Sequence, residues 1–280
     1  LLKAVTLHPA MGVYLSYAGN RKASTDGSIV PDENYGREVM QLFSIGLLER
    51  NADFSPKQDA QGNSIPTYDE KVISAMARVF TGWTYAGLSD AQYSRRLERT
   101  WEPMECHPAF HDSAPKQIFR GIVIAAGNDC RASLEQVLDA LSTHPNTAPF
   151  ISRQLIQRFV TSNPSPAYIA RVTAVWTSTG GNLGQVLRAI LLDSEARNAP
   201  AASDPVYGKP REPLLRLPAL WRSFEARYVP PADGSIRFRV SGTQDLSLTL
   251  AQDSQRSPSV FNFFEPDHRL STADGQPGIY

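Results

Sequence analysis

The chain has 280 residues, 41% hydrophobic and 20% charged, which is enough apolar material for one large core or two modest ones and excludes disorder of the whole. Its 28 Lys and Arg residues balance 28 Asp and Glu residues, so no net field gathers polyanions or anionic lipid, and nucleic acid is disfavoured as the main partner. Apolar runs such as 122–126 and 189–192 fall far short of the roughly 20 residues that a bilayer-spanning helix needs, so the stretch reads as lying outside the membrane.

The sequence begins at Leu1 without an initiator methionine and stops at Tyr280 without a closing element, so both ends read as cut and any signal peptide would lie upstream. Residues 1–280 are read as one domain fragment. Asp32 or Asn34 can cap a helix over 33–46 that carries Tyr35, Val39, Leu42 and Phe43 on one face, with Gly46 placed to end it. Thr67 and Glu70 form a capping-box pair ahead of a second amphipathic helix over 68–81, followed by Gly82. From 83 to 132 no sustained period survives, and a long, ordered, irregular insert is expected, a kind of connection that is often functional.

Ser133 and Gln136 make another capping-box pair for a helix over 133–143. Helices over 147–161, 166–179 and 183–194 follow closely, the second opened by Pro166 and stopped by Gly180-Gly181, the third capped by Asn182. Short links imply antiparallel neighbours. A last helix over 212–227 turns Leu214, Leu217, Trp221 and Phe224 inward and is expected to kink at Pro218. Ile236, Phe238 and Val240, then Leu246, Leu248 and Leu250, alternate as in a small hairpin, with a short helix as the alternative for the second run. The fold class is therefore mainly α: an antiparallel helical bundle or array with a long irregular insert and a small β-hairpin near the C-terminus.

Four constellations could carry chemistry. Glu33 and Arg37 stack at helical i,i+4 spacing with Glu38 about 100° further round, so two carboxylates flank a guanidinium that could polarise water, hold a metal or grip a substrate. A helix-start cluster with an internal ion pair explains the same residues. His111-Asp112, close to Cys106 and His107, offers metal-ligand types, and the corresponding site would use a divalent metal. Pro108 removes the helical geometry that would place His107 and His111 on one face, and the bland reading is a hydrogen-bonded histidine with Asp112 capping a turn. His144, at a helix start, is a candidate base or a cap. Phe261, Phe263 and Phe264, with Trp83 and Lys116, could bind a ligand or plug the end of a bundle. Cys106 and Cys130 fit either two thiols or one disulfide. No phosphate loop, dinucleotide fingerprint, nucleophile elbow or His-Glu-x-x-His helix occurs.

Ordered motifs run along nearly the whole chain. They are Pro31-Asp32-Glu33-Asn34-Tyr35-Gly36-Arg37-Glu38 with Gln41-Leu42-Phe43-Ser44-Ile45-Gly46, Ala77-Arg78-Val79-Phe80-Thr81-Gly82-Trp83, His111-Asp112 with Lys116, and His144-Pro145-Asn146-Thr147. Lys209-Pro210-Arg211-Glu212-Pro213 and Arg256-Ser257-Pro258-Ser259 follow. As a set they resemble the bacterial family called domain of unknown function 1800. Asp32 stands where that family usually has asparagine, and Glu265-Pro266-Asp267-His268 replaces a more common run. The resemblance implies a mainly helical, exported protein, periplasmic or secreted, often encoded beside an exported sulfatase-like protein that becomes the candidate partner. Export would pair Cys106 with Cys130 and staple the insert to the next helix. Two functions follow as expectations: a binding or assembly module for a partner protein or polymer, or a metal-assisted hydrolase using Glu33, Arg37, Glu38, His111 and Asp112.

Overall fold

The computed structural model describes residues 1–97, 101–198, 207–227, 229, 232–233, 250–252, 257–263 and 265–266. The chain is mainly helical, and the helices divide between two compact units. The first comprises Leu1–Gln154 with Ser165–Ala189, the second Leu155–Pro164 with Ile190–Tyr280.

The first unit opens with α1 (Leu2–Leu7) and α2 (Pro9–Tyr14), which no periodicity announced because each is under two turns long. His8 joins them, its Nδ1 accepting from the Ala10 amide at 3.2 Å. Helix α3 (Asn34–Gln41) starts behind Glu33, which makes no side-chain cap; Asp32 Oδ1 accepts the Asn34 amide at 2.8 Å instead. Helix α4 (Glu70–Val79) is capped by Asp69 through the Val72 amide at 2.9 Å. Thr67, expected in that role, lies too far ahead of the first turn; it is buried and donates to the Gly46 carbonyl, closing the 47–66 loop on itself. Helices α3 and α4 approach so closely that a Cβ on Gly36 would stand 3.1 Å from the Ala77 amide nitrogen. Around that contact Tyr17 stacks on Tyr35 at 4.1 Å, and Phe80 meets Tyr35 edge-on at 4.8 Å, all three fully buried.

The insert is ordered by two minimal antiparallel ladders. Strand β1 (Trp83–Thr84) pairs with β2 (Glu105–Cys106), and β3 (Lys116–Gln117) with β4 (Val123–Ile124). Two-residue strands are too short for alternation to reveal. Helix α5 (Cys130–Ser142) begins three residues before Ser133, because Asp129 is the cap and accepts the Ala132 amide at 2.8 Å. A disulfide joins Cys106 of β2 to Cys130, the first residue of α5, with Cα atoms 5.8 Å apart.

Helices α6 (Thr147–Phe159), α7 (Pro166–Ser178) and α8 (Leu183–Leu192) come next, Ser165 capping α7 through the Tyr168 amide and Asn182 accepting the Gln185 amide, both at 3.1 Å. Then come α9 (Ser194–Arg197) and α10 (Pro213–Ser223), which contains Pro218. Within the second unit, Arg158 pairs with Glu212 at 2.8 Å, Lys209 Nζ donates to the Arg158 carbonyl at 2.7 Å, and the Ser162 amide donates to the Gly208 carbonyl at 2.8 Å. The expected hairpin over 236–250 lies outside the described residues, apart from Leu250. No described helix is long and apolar enough to cross a membrane.

Candidate functional site

Glu70, Ser74 and Arg78 follow one another at i,i+4 spacing along one face of α4, and the first two constellations both address that face. Arg37 Nη2 lies 3.4 Å from Glu33 and 3.7 Å from Glu70, while Ser74 Oγ donates to Glu33 Oε1 at 2.8 Å. One turn further on, Arg78 grips Asp112 with Nε–Oδ2 at 2.6 Å and Nη2–Oδ1 at 3.1 Å, the two-pronged geometry that makes such pairs strong. Burial pushes the Asp112 carboxyl up, but hydrogen bonds from Arg78 and the Ala114 amide outweigh it and hold the group below the usual carboxylate range. Glu33, Arg37 and Asp112 thus fasten α3 and the insert to α4. No hydrogen bond among the described residues joins Glu33, Arg37 or Glu38 to His111 or Asp112.

Glu38 differs from its neighbours. It is 8% exposed, and its Oε2 is buried with no hydrogen-bond partner among the described residues. Burial raises its pKa against the opposing charge of Arg37. The Tyr68 hydroxyl is also without a partner; burial drives it up to about 12, with Arg37 opposing and Glu38 and Glu70 reinforcing. Glu38 on α3 and Tyr68 just ahead of α4 thus have hydrogen-bonding capacity to spare.

His111 is 1% exposed and engaged at both ring nitrogens. Its Nδ1 lies 2.8 Å from the Thr81 carbonyl, which can only accept, so Nδ1 carries the proton. Nε2 therefore accepts from Ser133 Oγ at 3.0 Å. Burial lowers the pKa of the ring and keeps it neutral. Thr81 completes the knot, its hydroxyl donating to the Arg78 carbonyl at 2.7 Å and accepting from the Asp112 amide at 2.9 Å. Gly82, at φ 85°, lets the chain pass over this histidine: a Cβ there would meet His111 Cβ at 2.9 Å. His107 points elsewhere, its Nδ1 2.6 Å from Asp90 Oδ1.

Lys116 and Trp83 are interior as well. Lys116 is fully buried, donates to the Ala114 carbonyl at 3.1 Å and has its pKa lowered by burial. Trp83 is buried in β1 with its indole nitrogen unpartnered among the described residues. In the second unit Phe261 is half exposed and Phe263 is partly covered, while Phe264 lies outside the described residues. His144 Nδ1 accepts the Asn146 amide at 3.1 Å, a cap contact just ahead of α6, and burial, with Arg120 next, pulls its pKa down to about 4. No group of three or more His, Cys, Asp or Glu side chains placed to hold a metal ion occurs among the described residues.

A family model described as protein of unknown function, DUF1800, matches residues 1–273. The chain belongs to the DUF1800 family. No curated protein and no solved structure matches this DUF1800 chain. The residues that organise its site and that pattern reading passed over are Thr81, Arg78 and Ser133. Ser133 looked like a helix cap because Gln136 follows at capping-box spacing; no local signal marks it as the hydroxyl that meets a histidine 22 residues earlier.

Proposed function

We propose that this DUF1800 chain is an exported binding or assembly module whose helical body presents its surface to a protein partner, the co-encoded sulfatase-like protein that family resemblance implies. The observation that carries the reading is His111: with both ring nitrogens engaged and the ring buried, the strongest candidate base and metal ligand is occupied in holding the insert to α4 and α5. Asp112 is occupied in the same way by Arg78. Neutral overall charge and the lack of a nucleophile elbow or His-Glu-x-x-His helix point in the same direction. Export is supported by the Cys106–Cys130 bridge, since such bonds persist in oxidising compartments.

The test is to mix the purified, non-reduced chain with the sulfatase-like protein from the same locus and to measure mass by light scattering during size-exclusion chromatography. A joint peak with the summed mass is expected. Separate elution of the two at every ratio, or two free thiols in the mature chain, would contradict the reading.

A further inference from the structure

Within the first unit, the 47–66 loop holds Phe54 at φ 67° with two guanidiniums against its ring, Arg50 Cζ at 4.6 Å and Arg153 Cζ at 4.8 Å from the centroid. Asn146 ties this loop to His144: its Oδ1 accepts the Arg50 amide at 2.6 Å, and its own amide donates to His144 Nδ1 at 3.1 Å. That second bond decides where the proton sits. With Nδ1 accepting, the neutral ring carries its proton on Nε2. Nε2 is buried in a residue only 5% exposed, and it has no acceptor among the described residues. Phe119 meets the His144 ring edge-on at 5.5 Å, which brings Arg120 alongside, and Arg120, Glu49 and Lys57 are the charges the ring senses.

The carboxylates of this face are already engaged. Glu49 lies 3.4 Å from Lys57, and Asp53 accepts the Ser55 amide at 2.9 Å. Arg50 and Arg120 have no ion-pair partner among the described residues. A buried N–H donor without an acceptor, with the exposed Arg120 among the charges it senses and the half-buried Arg50 tied to it through Asn146, is complementary to an anion that offers three or more oxygens. We propose that the face formed by Arg50, Phe54, Arg120 and His144 is an oxyanion site, taking the phosphate or sulfate group of a small ligand.

The experiment uses the full, disulfide-bonded chain at neutral pH, titrated with sodium phosphate and separately with sodium sulfate against sodium chloride at matched ionic strength. The His144 Nε2–H resonance is followed by NMR. A saturable shift with phosphate, sulfate or both, absent with chloride, is expected, and the stronger of the two identifies the ligand class. Arg50→Gln should weaken it about tenfold, as loss of one charge-assisted contact does. Arg120 sits at φ 55°, so Arg120→Gly relaxes the backbone and should also weaken binding while the melting temperature holds or rises. If Arg50→Gln impairs folding, Arg120→Gly carries the test alone. A shift no larger than that with chloride, or saturable binding that Arg120→Gly leaves unchanged, overturns the proposal.

Discussion

At the scale of single residues the dominant pattern is histidine held neutral by burial. His144 titrates near 4 in the folded chain against an ordinary 6.5, and His111 is shifted in the same direction. Between 4 and 6.5 the unfolded chain binds a proton that folded His144 refuses. Its contribution is therefore fully present above pH 6.5 and falls away towards pH 4, by up to roughly 3 kcal/mol. Melting curves recorded across this window should show the loss in the parent and a shallower one in His144→Asn; identical slopes would remove His144 from the account. The Arg78–Asp112 pair is the second residue-scale claim. A double-mutant cycle with Arg78→Ala and Asp112→Ala should return a coupling of about 2 kcal/mol, as expected for a partly buried, two-pronged charged hydrogen bond. A coupling near zero would show that the contact holds nothing together.

At the scale of elements, the insert depends on one covalent tie. The Cys106–Cys130 bridge closes a loop of 24 residues in sequence, and loop-closure entropy assigns it about 3 kcal/mol. Cys106→Ser with Cys130→Ser should lower the melting temperature, and a reducing agent should do the same to the parent while leaving the double variant unmoved. Elements are legible in the sequence where their signals are local and illegible where their partners are distant. Helices α5 to α8 were legible because apolar stripes and caps such as Ser165 and Asn182 are local. Strands β1 to β4 were not, since each is two residues long and pairs across as many as 23 positions. The caps of α4 and α5 were misplaced for one reason: Asp69 and Asp129 lie directly before the first turn and outcompete Thr67 and Ser133, whose hydroxyls serve longer-range contacts. Of the candidate site, the residue types were legible. Their partners were not, because Ser133 reaches His111, and Arg78 reaches Asp112, only after the insert has folded back on α4.

At the scale of the whole molecule, the chain is a helical DUF1800 body in which conspicuous polar residues such as Arg78, His111 and Asp112 act as internal ties, while Glu38, Tyr68 and His144 keep unused hydrogen-bonding capacity. His111 and Asp112 fasten the insert, with both imidazole nitrogens and both carboxylate oxygens engaged inside the protein. This arrangement is tested most directly by a long-range proton–nitrogen NMR spectrum of the histidine rings of the full chain, before and after one equivalent of zinc. A single neutral His111 tautomer with its proton on Nδ1, unchanged by zinc, is expected. A His111 ring protonated on Nε2, or one whose nitrogens shift when zinc is added, would contradict it.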